Sequence, residues 1–488
     1  MKIKNILDKI DYIKYSANED TEVNNITNDS REVNENSVFV AVKGFKKDGN
    51  TYISSALEKG AKLIITEDEK FIERNIPVVQ VKDSRITLSK LSSILNDEPS
   101  KKLNLIGVTG TNGKTSITYI LDHIFRYYGS KTGIIGTMGA VIDGEKLILN
   151  NTTPESHQIQ EILKKMLEKN TKSCFMEVSS HSTVLKRVED LDFNIGIFTN
   201  LTKDHLDFHK SMDEYYKAKK DLFYKSGISI INIDDNYGNK MYEELKKENR
   251  KVYSYSIDNI SDFKATITET SINGTKFKLK VDDKEVEIQI NTPGKFSVYN
   301  TLASIIAAKV SGISIDDIKN SLKKLKGVVG RFEIIPTNLN CTVILDFAHT
   351  PDGLEKIMET IDEVAKGRKV VMFGAGGERD ISRRALMGEV AGKYCDFCYL
   401  TSDNPRYEDP KSICEEIAEG VKKYHNNYKI IIDRKEAINY IVDNYKKDDI
   451  ILLAGKSTEP YQVIEDKKVP YDEREIALKA IRLKEKNN

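Results

Sequence analysis

Apolar and polar residues alternate along this chain in three blocks. In residues 1–98 short apolar runs, SVFVAV, KLIIT and PVVQV, are interleaved with helical patterns at 51–60 and 84–96. The runs predict strands, and apolar residues three and four apart predict helices. NDEPSKKLN then reads as a linker. The middle block opens on LNLIGVT and continues through TGIIGT, CFMEVS, NIGIFT and ISIINI, with helical patterns between several of them. Strands apolar at every position and alternating with helices predict a parallel sheet covered on both faces. Between 262 and 291 the period drops to two, in TKFKLKV and KEVEIQI, with turn signals at Asn273-Gly274 and Asp282-Asp283. That predicts an antiparallel hairpin insert. Helical segments follow at about 296–326. From about 330, TVILDFA, KVVMFG, FCYLTS, YKIIID and DIILLAG alternate with helices again, which predicts a Rossmann-like unit. The expected fold class is α/β with three domains: a small α/β N-terminal domain at 1–98, a central parallel-sheet domain with an antiparallel insert at 99–329, and a C-terminal Rossmann-like domain at 330–488.

Composition narrows the function. Among 488 residues, Lys plus Arg number 75 and Asp plus Glu number 75, so the net charge is zero. Nothing in that balance points to nucleic acid or an anionic membrane as partner. No apolar run approaches the roughly 20 residues that span a bilayer. The opening MKIKNILDKIDYIKYS is broken by charges and holds no signal-peptide core, so a cytoplasmic protein with reduced thiols is expected. Cys395 and Cys398 form a C-x-x-C, but a metal site needs a second pair, and Cys398 enters the apolar run FCYL. The pair is read as buried thiols.

The chemistry begins at GVTGTNGKTS, residues 107–116, between the first strand of the middle block and a helix. A glycine loop there turns backbone N–H groups toward phosphate oxygens, and the helix N-terminus adds positive potential. Lys114 would reach the β and γ phosphates of ATP, and Thr115 would offer its hydroxyl to magnesium. The strict Walker pattern wants Gly where Val108 stands, but the strand-loop-helix context of a P-loop is right. Three further element ends carry charge. FMEVSSHS puts Glu177 at a strand's carboxyl end, FTNLTKDHLDFH carries His205 and His209, and YYKAKKDLF carries Lys219 on a helix. The carboxyl ends of an open α/β sheet are where ligands bind.

GTNGKT, MEVSSH, TNLTKDHLDFH and Y-x-x-x-K-x-x-LF together resemble the Mur ligase family, the ATP-dependent ligases that build the peptidoglycan stem peptide. The resemblance covers essentially the whole chain. It implies ATP as substrate and two magnesium ions, with Thr115, Glu177, His205 and Lys219 as ligands and Lys219 carbamylated. A carbamate offers two hard oxygens, which suit magnesium better than an ammonium. It implies ATP contacts from Gly110, Thr111, Asn112, Gly113, Lys114, Thr115 and Ser116. YNTLAS, GRFE and LDFAHTPDGLE add Asn300, Arg331, Asp346 and His349 as residues facing the nucleotide. Lys114, Lys219, His205, Asn300, Arg331 and Asp346 form the implied catalytic set. His123, His157 and His425 are read as structural or surface residues, and His181 and His209 receive no role.

The block ITNDSREVNENSVFVAVKGFKKDGNTYI resembles the first domain of the family member that adds the third stem residue. It implies that Asn28, Ser30, Phe45, Lys46 and Lys47 hold the UDP end of UDP-N-acetylmuramoyl-dipeptide. Asn151, Thr152 and Thr153 of NNTTPE, with Ser179 and Arg187, would hold the rest. In the last block, FGAGGERD carries Arg379, and TSDNPRYEDP carries Asp403, Asn404, Pro405 and Arg406. Within the family, DNPR goes with addition of meso-diaminopimelate, whose second amino-carboxylate end lysine lacks. Arg406 would pair the extra carboxylate and Asp403 and Asn404 the remaining groups, with Gly455 and Glu459 also touching the amino acid. Relatives usually read AGKGHE where this chain reads AGKSTE, so Ser457 and Thr458 replace Gly and His. Glu378 stands where Asp is usual. A monomer acting on small molecules is expected, without membrane insertion. L-lysine or another diamino acid as the added residue, a folylpolyglutamate synthetase, the sister ligase that adds D-Ala-D-Ala and a non-catalytic paralogue are the alternatives. The last rests on AGKSTE alone, and the DFAHTPD and DNPR segments argue against the two other enzymes.

Overall fold

The structure, a computed structural model, describes residues 1–488 apart from 45–46, 207, 282–283 and 488. The Asp282-Asp283 turn and the implied contacts of Phe45 and Lys46 therefore lie outside the described residues. Three large sheets follow one another along the chain. The first has five strands in the order Lys14–Ser16, Val78–Gln80, Leu63–Thr66, Ser37–Val40, Asn25–Thr27, parallel except at the Lys14–Ser16 edge. Helix Ser84–Leu95 follows it, begun by the Asp83 carboxylate accepting from the Arg85 and Ile86 N–H groups. Capping of this kind satisfies donors that no helix turn can reach.

The central sheet has eleven strands, and its parallel middle includes Thr132–Gly136, Ser173–Glu177, Asn104–Thr109, Phe193–Phe198 and Ser226–Asn232. Its strands bury both faces. Ile106, Val108, Ile195 and Ile197 pack with Ile117 and Leu121 of helix Lys114–Tyr127 and Ile305 of helix Lys295–Val310. Leu105, Met176 and Phe198 pack on the other side with Ile159, Leu163 and Leu222. The period-two segment is a three-stranded meander, Phe263–Ser271, Gly274–Val281 and Lys284–Ile290, rather than a separate hairpin. Its first strand pairs in parallel with Val252–Ser256, so the insert continues the sheet. At the opposite edge Gly139–Ile142 and Glu145–Leu147 form a hairpin the sequence reading did not anticipate, turning at Asp143 and Gly144, both at positive φ.

The third sheet has six strands in the order Glu333–Ile335, Cys341–Asp346, Asp449–Ala454, Lys369–Phe373, Phe397–Leu400, Tyr428–Ile430, antiparallel only at the first edge. Asp449–Ala454, the last strand of the sheet in chain order, returns from the far edge to insert between Cys341–Asp346 and Lys369–Phe373. A crevice opens at the carboxyl ends of such strands. All five cysteines are free thiols, with Cys395 and Cys398 buried in the core as expected. Among the described residues no helix is long and apolar enough to cross a membrane.

Candidate active site

The loop after Asn104–Thr109 is held by close packing. A Cβ at Gly110, where φ is +147°, would sit 1.8 Å from Thr199 Oγ1, and one at Gly113 would sit 2.4 Å from Asn300 Oδ1. Thr111 N–H donates to Asn200 O and Asn112 N–H to Asn200 Oδ1, each at 2.9 Å. Lys114 Nζ donates at 2.8 Å to the carbonyls of Gly110 and Thr111. Desolvation holds this ammonium below its ordinary range, against the opposing charges of Glu177 and Asp204. Asn112 Nδ2 and the Thr202 hydroxyl both donate to Asp352 Oδ2, at 2.8 and 3.1 Å, so a carboxylate from the third block closes on the glycine loop.

Glu177 is 1% exposed. Its Oε1 accepts from the Thr115 hydroxyl at 2.9 Å and from Thr137 N–H at 3.0 Å, and its Oε2 accepts from the Thr137 hydroxyl at 3.0 Å. Arg331 Nη2 donates to Thr115 Oγ1 at 3.0 Å. Lys219 is buried, donates to Gly110 O at 2.8 Å, and lies 4.6 Å from the centre of the Tyr215 ring. Burial, followed by the nearby Lys114 charge, pushes its amine well below the ordinary lysine range, with Asp204 opposing. A neutral amine is the form that adds carbon dioxide to give a carbamate. His205 has φ +52° and stands beside Asp204, which Arg383 pairs from the third block. Burial pushes the imidazole down to about 4, with Asp204 opposing and His181, Lys114 and Lys219 adding to the shift. It is therefore neutral at neutral pH. No group of three His, Cys, Asp or Glu side chains stands ready for a metal among the described residues. The donors at the loop are instead one carboxylate, one hydroxyl, a neutral imidazole and a lysine suited to carbamylation. With the carbamate in place they would offer magnesium mostly hard oxygens, with one imidazole nitrogen beside them.

Beside the loop a cleft of about 460 Å³ is lined by Asn112, Gly113, Ser116, Asn300, Arg331, Asp346 and His349, among others. Asp346 Oδ2 accepts from Phe332 N–H and Oδ1 from Ala348 N–H, both at 2.7 Å. Burial pushes its carboxyl up to about 6, although Arg331 and these two amides pull it down. The Arg331 guanidinium lies 4.7 Å from the Phe347 ring centre.

The residues expected to hold the rest of the UDP-linked substrate meet behind Glu177. Thr153 Oγ1 donates to Glu177 O at 2.8 Å and accepts from Ser179 N–H at 3.1 Å. Arg187 donates to Thr153 O at 3.0 Å and pairs with Glu155 at 2.6 Å. The Thr152 hydroxyl lies 3.1 Å from that of Thr137, while Asn151 is exposed. Asn28 and Ser30 lie in the first block. Their loop meets the middle block through buried His157, whose Nε2 is 3.5 Å from Thr27 Oγ1 and 3.4 Å from Glu32 Oε2. Lys47 is exposed. His123 and His425 bond the Ser321 and Cys395 carbonyls, as structural residues do.

A second cavity, of about 270 Å³, lies at the carboxyl ends of the third sheet. Arg379, Asp403, Asn404, Arg406, Gly455 and Glu459 all line it, with His205 and His349. Pro405 is buried behind the wall, and its carbonyl would lie 2.0 Å from a Cβ at Gly377. Arg406 has φ +53° and donates from Nη1 to Gly377 O at 2.6 Å. Phe347 and His349 line both cavities, so the two adjoin. The sequence reading did not single out Thr137, Asp352, Arg383 or Lys456. Lys456 stood in plain sight inside AGKSTE, and Asp352 inside DFAHTPD; neither segment tells which side chain turns inward.

The family models described as Mur ligase family, catalytic domain; Mur ligase middle domain; and Mur ligase, glutamate ligase domain match residues 22–98, 108–308 and 330–457. The chain is 45% identical over 471 residues to the UDP-N-acetylmuramoyl-L-alanyl-D-glutamate–2,6-diaminopimelate ligase of Caldanaerobacter subterraneus subsp. tengcongensis, covering 96% of this chain and 97% of that one. It is 44% identical to the Clostridioides difficile ligase of the same name, covering 98% and 99%. A solved structure of a ligase of that name superposes with a TM-score of 0.70 at 27% identity, covering 99% of each chain.

Proposed function

Because the chain belongs to the Mur ligase family, whose members are ATP-dependent amide ligases, we propose that it joins meso-diaminopimelate to the D-glutamate carboxylate of UDP-N-acetylmuramoyl-L-Ala-D-Glu in peptidoglycan synthesis. One observation carries this reading. The cavity lined by Arg406, Arg379, Asp403, Asn404 and Glu459 adjoins the cleft beside the phosphate loop through Phe347 and His349. Cationic and anionic groups around one cavity suit a ligand end that bears both an ammonium and a carboxylate. Lysine would leave the arginine unpaired.

In this reading the domains divide at 98 and 329, and the protein works as a cytoplasmic monomer. Gly110 to Ser116 bind the ATP phosphates, and Lys114 turns from the loop carbonyls to the β and γ phosphates. Asn300, Arg331, Asp346 and His349 face the nucleotide. Asn28, Ser30, Lys47, Asn151, Thr152, Thr153, Ser179 and Arg187 hold the UDP-linked dipeptide. Thr115, Glu177, His205 and carbamylated Lys219 would hold two magnesium ions, which supply charge neutralisation at the phosphates. The γ-phosphoryl group passes to the glutamate carboxylate, giving an acyl phosphate and ADP, while Lys114 balances the moving charge. The diaminopimelate amine then attacks the acyl carbon, and phosphate leaves from the tetrahedral intermediate. Asp352 and Arg383, which bond the glycine loop and Asp204 from the third block, hold the units together over the activated acid and keep water from it. Phosphate release that requires ATP, the UDP-dipeptide and the amino acid together tests the reading. A Lys114→Ala variant that kept the normal rate would refute it.

A further inference from the structure

A fully buried cation stands directly behind the wall of the amino-acid cavity, with no role in the account above. Lys456 is 0% exposed. Its Nζ donates to Asn404 Oδ1 at 2.6 Å and to Glu459 Oε2, and it lies 3.4 Å from Asp403 Oδ1. It thus contacts three of the side chains that line the cavity. Asn404 Oδ1 accepts a second bond from Val463 N–H at 2.7 Å, which turns Nδ2 toward Glu459 Oε2 at 3.1 Å. The ammonium is locked in place from behind as well. Buried Arg434 donates to Ala454 O at 2.6 Å, and its partner Glu473 accepts from Ser457 N–H at 3.1 Å, so one ion pair clamps both sides of the turn that carries Lys456.

We propose that Lys456 is a specificity-determining positioning residue, an internal counter-cation that tunes the cavity to a zwitterionic ligand end rather than a cationic one. The inference rests on the ligase reading. Asp380, Asp403 and Glu459 place three negative charges at the wall, Arg379 and Arg406 two positive ones, and Lys456 a third from directly behind it. Arg383 and Arg384, also at the wall, are already paired, with Asp204 and with Glu408 and Glu416. The balanced set matches one ammonium plus one carboxylate. Without Lys456 the same wall carries an excess negative charge and matches the lone distal ammonium of lysine. Opposed charges in a site shielded from water discriminate far more strongly than they do in solution.

The test compares kcat/KM for meso-diaminopimelate and for L-lysine in the full-length enzyme. Lys456→Gln, which keeps an N–H donor and removes the charge, is expected to lower the diaminopimelate-to-lysine ratio about tenfold or more. The change should appear in the KM of the amino acid, with the KM values of ATP and the UDP-dipeptide within about twofold. Lys456→Arg should restore part of the ratio. Asp403→Asn removes a charge of the opposite sign from beside the buried lysine, which keeps its bonds to Asn404 and Glu459, and should raise the ratio while lowering turnover of both amino acids. An unchanged ratio in Lys456→Gln, or a shift in the same direction in Asp403→Asn, overturns the inference while the ligase reading stands. Wild-type enzyme that ligates neither amino acid overturns the underlying reading and this inference with it.

Discussion

The Thr115 hydroxyl donates to Glu177 Oε1 at 2.9 Å, joining the first turn of the phosphate-loop helix to the end of the neighbouring strand. The same oxygen of Thr115 accepts from Arg331, so the segment entering the third block reaches the phosphate site through one hydroxyl. Glu177→Gln keeps the shape of this corner and removes its charge. Loss of about 10²-fold or more in kcat is expected, with a raised magnesium requirement. A magnesium titration of phosphate release checks both, and near-normal turnover would remove Glu177 from the proposed metal site.

Lys219 is predicted to carry a carbamate. Its amine is held well below the usual lysine range chiefly by burial, which favours the uncharged form that carbon dioxide can add to. Protein equilibrated with ¹³C-labelled bicarbonate should show a carbamate carbon resonance that Lys219→Ala lacks. The variant should lose about 10²-fold or more in turnover, as a site without one of its anionic ligands would.

Asp346 makes a pH prediction. Its folded-state value is raised to about 6 from 3.8, mainly by burial. A raised carboxyl favours the folded state at pH below its unfolded value, and that contribution is lost as pH rises through the folded one. Between pH 4 and pH 6, Asp346→Asn should therefore gain stability relative to the wild type by about 2 kcal/mol. Urea unfolding at pH 4, 5, 6 and 7 measures this. A difference that stays flat across the series would contradict it.

Ser457 has φ +47°, in the region glycine tolerates best, and its hydroxyl donates to Gly330 O at 3.0 Å. Left-handed backbone costs a serine about 1 kcal/mol relative to glycine, and the hydrogen bond returns about as much. Ser457→Gly should therefore be close to neutral, while Ser457→Ala keeps the strain, loses the bond and should be destabilised by about 1 kcal/mol. Thermal unfolding of the two variants gives the order. The same backbone explains how AGKSTE can stand where relatives usually read AGKGHE.

Much of this was legible in the sequence because the signals were local. The apolar strands around GVTGTNGKTS and TVILDFA announced parallel sheets, and the residues expected to meet the amino acid, from three separate segments, all line one cavity except Pro405. What was missed depends on tertiary neighbours or on weak patterns. The edge hairpin at 139–147 carries a short Asp143-Gly144 turn between strands too brief for periodicity to register. The meander reads as an isolated hairpin because two residue pairs alone join it to the parallel strands. Thr137 reaches Glu177 only because Thr132–Gly136 lies beside Ser173–Glu177 in the sheet, a pairing no local pattern encodes. Lys456 looks like any lysine in a glycine turn until Asp403, Asn404 and Glu459 surround it.

The central claim is that the Arg406 loop reads a second amino-carboxylate end, and one measurement tests it most directly. Phosphate release with UDP-N-acetylmuramoyl-L-Ala-D-Glu, ATP and magnesium is compared for meso-diaminopimelate and L-lysine, in the wild type and in Arg406→Ala. The account predicts a strong wild-type preference for meso-diaminopimelate, and a loss of about 30- to 1,000-fold in its kcat/KM in the variant, with lysine turnover little changed. A wild type that prefers lysine, or a variant that loses both substrates equally, would contradict it.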